Sequence, residues 1–148
     1  MKSTLYSVLI FLIAVMPVIA EEEANPEDTL VVSGKAVVFF GPSQVEYLAM
    51  SDEQKHAIDA ELYDFYHNRG EVSPFLASND IQEISTARLK IQVRLEGSQR
   101  ITYYRKDFDR VVGLILTDGR QEPLILLGAT AAPDLIAEFE DYFGLNPP

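Results

Sequence analysis

Three short runs in this chain are apolar on both faces of any strand they form: Ala36–Phe40 (AVVFF), Val111–Thr117 (VVGLILT) and Leu124–Leu127 (LILL). Side chains alternate across a strand, so a run without a polar side needs cover above and below. These runs therefore belong in the middle of a sheet covered on both faces. Helical patterns sit between and after them, which points to an α/β fold. The expected architecture is a three-layer sandwich, a mixed β-sheet with helices on both faces.

The remaining elements follow from spacing. The first apolar run belongs to a longer β-rich stretch, Leu30–Phe40, interrupted at Ser33-Gly34 and ended by Gly41-Pro42. Ser43 with Glu46, and Ser51 with Gln54, have capping-box spacing, so two helical pieces or one bent helix should run from about Gln44 to His67. Ile58, Leu62, Phe65 and Tyr66 form its apolar stripe, Gly70 is its expected stop, and Ser73-Pro74 opens a short further turn. Ala87–Glu96 alternates without error. Leu89, Ile91, Val93 and Leu95 face one way, while Arg88, Lys90, Gln92, Arg94 and Glu96 face the other. A loop at Gly97-Ser98-Gln99 would set Leu95 opposite Ile101, Val93 opposite Tyr103 and Glu96 opposite Arg100. Asp118-Gly119 predicts a two-residue hairpin between the last two apolar runs, and Pro123 marks a bulge or strand start. Pro133 opens a final helix with Leu135, Ile136, Phe139 and Phe143 on its buried stripe.

The two ends of this arrangement resemble the thioredoxin superfamily. Val37-Val38-Phe39-Phe40-Gly41-Pro42-Ser43 is similar to the family's buried strand leading into Cys-Gly-Pro-Cys at a helix start. Phe40 and Ser43 stand where the cysteines would be. The run from Gly113 through Thr117, Asp118-Gly119, Gly128, Leu135 and Phe139 is similar to the family's closing hairpin, glycine and helix. The resemblance covers about a third of the chain and implies a thioredoxin-like fold. Val111 falls near where the family has its cis-proline, and the chain has no cysteine, so the implied disulfide exchange has no thiolate to perform it.

At the N-terminus, Lys2 precedes an uncharged apolar run, Leu5–Val15, then Pro17, with Val18 and Ala20 at the −3 and −1 positions of a cleavage site. That is the pattern of a secretory signal peptide, and the run is too short to cross a bilayer. Residues 1–20 are thus expected to be removed, 21–28 (EEEANPED) to form an acidic leader, and 29–148 to form one domain, exported to the periplasm or beyond. Without the first twenty residues, which hold Lys2 and no acid, the formal charge moves from −11 to −12. A chain so acidic is repelled by phosphate backbones, which argues against nucleic acid as a partner.

No catalytic residue and no cofactor are expected. His56 and His67 would lie about 16 Å apart on one helix, too far to share a metal. Asp107-Phe108-Asp109 lacks the further ligands of a calcium loop. Gly41, Pro42 and Ser43 form a strand–helix junction that is one candidate site, for an anion at the helix N-terminus or for a hydrolytic serine. The second candidate rests on charge. Between Arg88 and Arg110 stand Arg88, Lys90, Arg94, Arg100, Arg105, Lys106 and Arg110 against Glu96, Asp107 and Asp109, a local +4 in an acidic protein. Arg88, Lys90, Arg94, Arg100 and Tyr104 are expected to share an exposed face that binds a partner protein or a small anionic ligand. The leading expectation is a non-enzymatic binding module, with a hydrolase at Gly41–Ser43 and a structural subunit of an envelope assembly as alternatives.

Overall fold

A computed structural model describes residues 28–128 and 132–145. The expected signal segment and almost all of the expected acidic leader lie outside the described residues. The elements are β1 (Thr29–Val32), β2 (Ala36–Phe40), α1 (Gln44–Leu48), α2 (Asp52–Ser78), β3 (Gln82–Thr86), β4 (Lys90–Leu95), β5 (Gln99–Tyr104), β6 (Gly113–Thr117), β7 (Leu124–Leu127) and α3 (Ala132–Phe143). They build two sheets, one ordered β3-β2-β6-β7 and a smaller one ordered β1-β4-β5. Each is mixed. β2 runs parallel to β3 and antiparallel to β6, while β4 runs parallel to β1 and antiparallel to β5.

The runs of β2 and β6 do what their lack of a polar face requires, whereas Leu124–Leu127, expected in the middle of the sheet, forms its edge as β7. Leu124 and Leu126 are partly buried on one face and Ile125 on the other, and Leu127 is exposed. Val37 and Phe39 of β2, with Leu114 and Leu116 of β6, pack against Ile58, Leu62, Phe65 and Leu76 of α2 and Leu135 and Phe139 of α3. On the opposite face Ala36, Val38, Phe40 and Ile115 meet Val32, Ile91 and Val93 of the small sheet. The fold is therefore α/β and three-layered, as expected, but its layers are helices, large sheet, small sheet. Helices were expected on both faces, and only one is covered by them. The second face is covered by the apolar side of β4 and by Val32, because a half-apolar sheet buries its stripe there as well as a helix would. The Ser33-Gly34 interruption is where the chain changes sheets, with Gly34 at φ +77°.

Both capping boxes form. The Ser43 hydroxyl accepts from the Glu46 amide at 3.1 Å and Glu46 accepts from the Ser43 amide at 2.8 Å. Ser51 and Gln54 repeat the pattern at 3.1 and 2.9 Å. The Tyr47 hydroxyl donates to Asp59 at 2.5 Å, joining α1 to α2, and burial followed by the Asp59 charge raises the phenol above the usual tyrosine range.

Helix α2 does not stop at Gly70. It continues through Pro74 to Ser78. The proline removes the amide that would bond the Gly70 carbonyl, a local cost. It is offset by burial of Val72 and Leu76 and by polar ties to β3: Ser73 donates to Glu83 at 3.0 Å, and Arg69 pairs with Glu83 and donates to Ser85 at 2.7 Å. A Cβ at Gly70 would meet nothing within 4 Å. Gly70→Ala is accordingly expected to raise stability by about 0.5–1 kcal/mol in urea unfolding, through lower unfolded-chain entropy. A loss of stability would show that the glycine is needed for its backbone.

Two turns differ from expectation. The β4–β5 connection is Glu96–Ser98, with Leu95 opposite Gln99 and Arg94 opposite Arg100. The register is thus two residues away from the expected one, and an even shift leaves every side chain on its expected face. The β6–β7 connection spans 118–123 rather than two residues. Asp118 closes it, accepting from the amides of Arg120 at 2.8 Å and Gln121 at 3.0 Å. The hairpin tip docks on this loop through the Glu96 amide and the Gly119 carbonyl at 2.8 Å, which helps fix the small sheet over the large one.

Candidate functional site

The small sheet keeps Ile91 and Val93 inward and turns Lys90, Gln92 and Arg94 outward. From β5, Arg100, Thr102 and Tyr104 are exposed on the same side. Register pairs Lys90 with Tyr104, Gln92 with Thr102 and Arg94 with Arg100. The Lys90 ammonium lies 5.9 Å from the Tyr104 ring centroid, within cation–π range. Four of the five predicted face residues, Lys90, Arg94, Arg100 and Tyr104, are thereby brought together on one exposed surface.

Arg88 is not with them. It lies ahead of β4, and its guanidinium donates to the Thr29 carbonyl at 3.2 Å. Two more of the seven basic residues are spent on the fold. Arg110 pairs with Glu61 at 2.9 Å. Arg105 is buried, donating to the Arg88 carbonyl at 2.8 Å and the Ala87 carbonyl at 2.6 Å and pairing with Glu46 at 2.8 Å. One signal was present in the sequence. Arg105 has the same parity as Ile101 and Tyr103, the inward residues of β5.

The direct pairing of Arg94 with Arg100 sets the electrostatics of the face. Like charges opposite one another on adjacent strands are destabilising, on the order of 0.2–1 kcal/mol. Among the described residues neither guanidinium has an acidic partner. The nearest acid in sequence, Glu96, is paired with Arg120 at 3.1 Å.

At the other candidate, Gly41, Pro42 and Ser43 are all buried. Ser43 is 4% exposed and its hydroxyl is engaged in capping. The junction's amides are used internally, Gly41 donating to the Thr86 carbonyl at 3.2 Å and Ser43 to Glu46. The Glu46 carboxylate already occupies the helix start, where it competes with any incoming anion. Pro42 does border a cleft that sequence reading missed. Two adjoining cavities of about 260 and 240 Å³ share Met50, Asp109, Arg110 and Val111, between the helices and the 105–111 segment. Its walls come from stretches far apart in sequence, so no local motif announces it. Among the described residues no group of His, Asp or Glu is placed to hold a metal. Nor is any described helix long and apolar enough to cross a membrane.

No protein-family model, curated protein or solved structure matches this chain.

Proposed function

We propose that this chain is an exported, non-enzymatic binding module whose small sheet presents Lys90, Arg94, Arg100, Thr102 and Tyr104 to an acidic segment of a partner protein. The observation that carries this reading is the exposed Arg94–Arg100 pair. An unneutralised like-charge contact lowers the stability of the free protein and is relieved by an anionic partner. Spacing supports a protein segment over a single small anion. Lys90 and Arg94 are four residues apart on β4, about 13 Å along the strand, which is wider than one carboxylate or phosphate spans. Export is supported by the Lys2, Leu5–Val15 and Ala20 pattern. The thioredoxin-like reading is supported by the order strand, helix, parallel strand, antiparallel hairpin, helix in the large sheet. It adds no redox activity, since the chain has no cysteine.

Poly-L-glutamate is a suitable probe. The purified protein should bind it at low salt, and the variant Lys90→Ser/Arg94→Ser/Arg100→Ser should bind at least about tenfold more weakly with a melting temperature no lower than the parent's, since the like-charge pair is gone. Arg100→Glu separates function from stability. Turning the like pair into an opposite pair should raise stability by about 0.5–1 kcal/mol while weakening poly-L-glutamate binding. Unchanged affinity in both variants would reject the face as the site.

A further inference from the structure

Among the described residues the small sheet ends at β5, which pairs with β4 on one side only. The direction of its backbone groups follows from the hydrogen bond of the Arg105 amide to the Leu89 carbonyl, 2.9 Å. In an antiparallel ladder the hydrogen-bonded pairs recur at every second residue. With Leu89 and Arg105 such a pair, Ile91–Tyr103 and Val93–Ile101 continue the series. The amides and carbonyls of Arg100, Thr102 and Tyr104 therefore point away from β4, toward the open edge. These are the same residues whose side chains line the cationic face.

From this coincidence, and resting on the binding function proposed above, we infer that β5 takes its partner by strand addition. An extended segment would join the small sheet as a fourth strand, with acidic side chains at alternate positions on the outer face. The chemistry on the two sides of the edge fits that pattern. Outward, Arg100 and its neighbour Arg94 match carboxylates. Inward, Ile101 and Tyr103 are only partly buried, whereas Ile91 and Val93 of the next strand inward are 0% exposed. The alternate side chains of an added strand would cover that half-open apolar strip, so small apolar residues suit them. Main-chain hydrogen bonds then supply affinity and side-chain alternation supplies selectivity. The other edges do not offer this combination. β1 presents Thr29 and Val31 with the Arg88 guanidinium already donating to the Thr29 carbonyl, β7 is Leu-Ile-Leu-Leu, and β3 carries Glu83, whose charge disfavours an acidic strand.

The test uses the whole protein, isotope-labelled, and a short capped peptide alternating glutamate and valine. On binding, amide exchange at Arg100, Thr102 and Tyr104 should slow by about tenfold or more, while Ile101 and Tyr103, already in the ladder, change little. A lysine–valine peptide should not bind. Thr102→Pro removes an edge amide that β4 does not use, so it should fold normally and lose the peptide. Should that variant fail to fold, a peptide N-methylated at alternate amides makes the same test from the ligand side and should not bind. Thr102→Pro or the N-methylated peptide binding as well as the parent would overturn strand addition. If Arg94→Ser/Arg100→Ser still abolished that binding, the cationic face itself would stand. Binding insensitive to both sets of changes would overturn the two together, as would equal binding of the lysine–valine peptide.

Discussion

Gly113→Ala should be strongly destabilising, by about 3 kcal/mol in denaturant unfolding. Gly113 opens β6 directly opposite Phe40 of β2. A Cβ there would sit 2.5 Å from the Phe40 ring and 2.8 Å from the Leu126 backbone carbonyl, closer than real contacts allow. Neither neighbour yields easily. The carbonyl belongs to β7, paired to β6, and the Phe40 ring is fully buried and stacked on Phe108 at a centroid distance of 5.0 Å. Overpacking of a filled core costs about 1–3 kcal/mol, and a backbone atom as one obstacle places this site at the upper end. Gly41 provides the control. It adjoins the same phenylalanine, yet a Cβ on it meets nothing within 4 Å, so Gly41→Ala should change stability little. A loss below about 1 kcal/mol for Gly113→Ala would mean that Phe40 repacks freely and that the sheet interface is looser than described.

Arg105→Met should cost a similar amount, about 3 kcal/mol, by urea unfolding. The side chain is 7% exposed, and its guanidinium holds two other parts of the chain: the adjacent Ala87 and Arg88 carbonyls, and Glu46 at the start of α1. Methionine fills most of the volume but leaves the Ala87 and Arg88 carbonyls without this donor, while the partly exposed Glu46 carboxylate loses its cation and keeps the Ser43 amide. Removing one partner from a buried charged network costs more than the network contributes. Arg105→Lys should recover less than half of the loss, since an ammonium cannot reproduce the forked geometry. Full recovery with lysine would show that charge alone is required. The prediction bears on function too, because this clamp ties the segment ahead of β4 to the end of β5, holding the cationic face in place.

Much of the candidate face was legible from alternation alone. The expected hairpin register was two residues off, yet Lys90, Arg94, Arg100 and Tyr104 still arrived on one side, because face depends on parity and parity survives an even shift. What alternation cannot reveal is which cations are consumed. Arg88 and Arg110 look identical to Arg94 in sequence, and only the proximity of the Thr29 carbonyl and of Glu61 removes them from the set. The cleft beside Met50 was invisible for the same reason, as was strand β3, whose sequence QEIST has little apolar pattern. It is a strand because β2 lies beside it and because Arg69 and Ser73 hold Glu83.

Local pattern alone determined that β2 and β6 would be covered on both faces, where α1 and α2 begin, and which side of β4 meets water. Those are properties of near neighbours: side-chain alternation, and hydroxyl-to-amide reach over three residues. Tertiary structure decided that a second sheet would supply the far cover, that α2 would run on past Gly70 and Pro74, and that Arg105 would be buried. Each of these outcomes sets a local cost against contacts made by residues distant in the chain. The balance exists only once those residues are packed together.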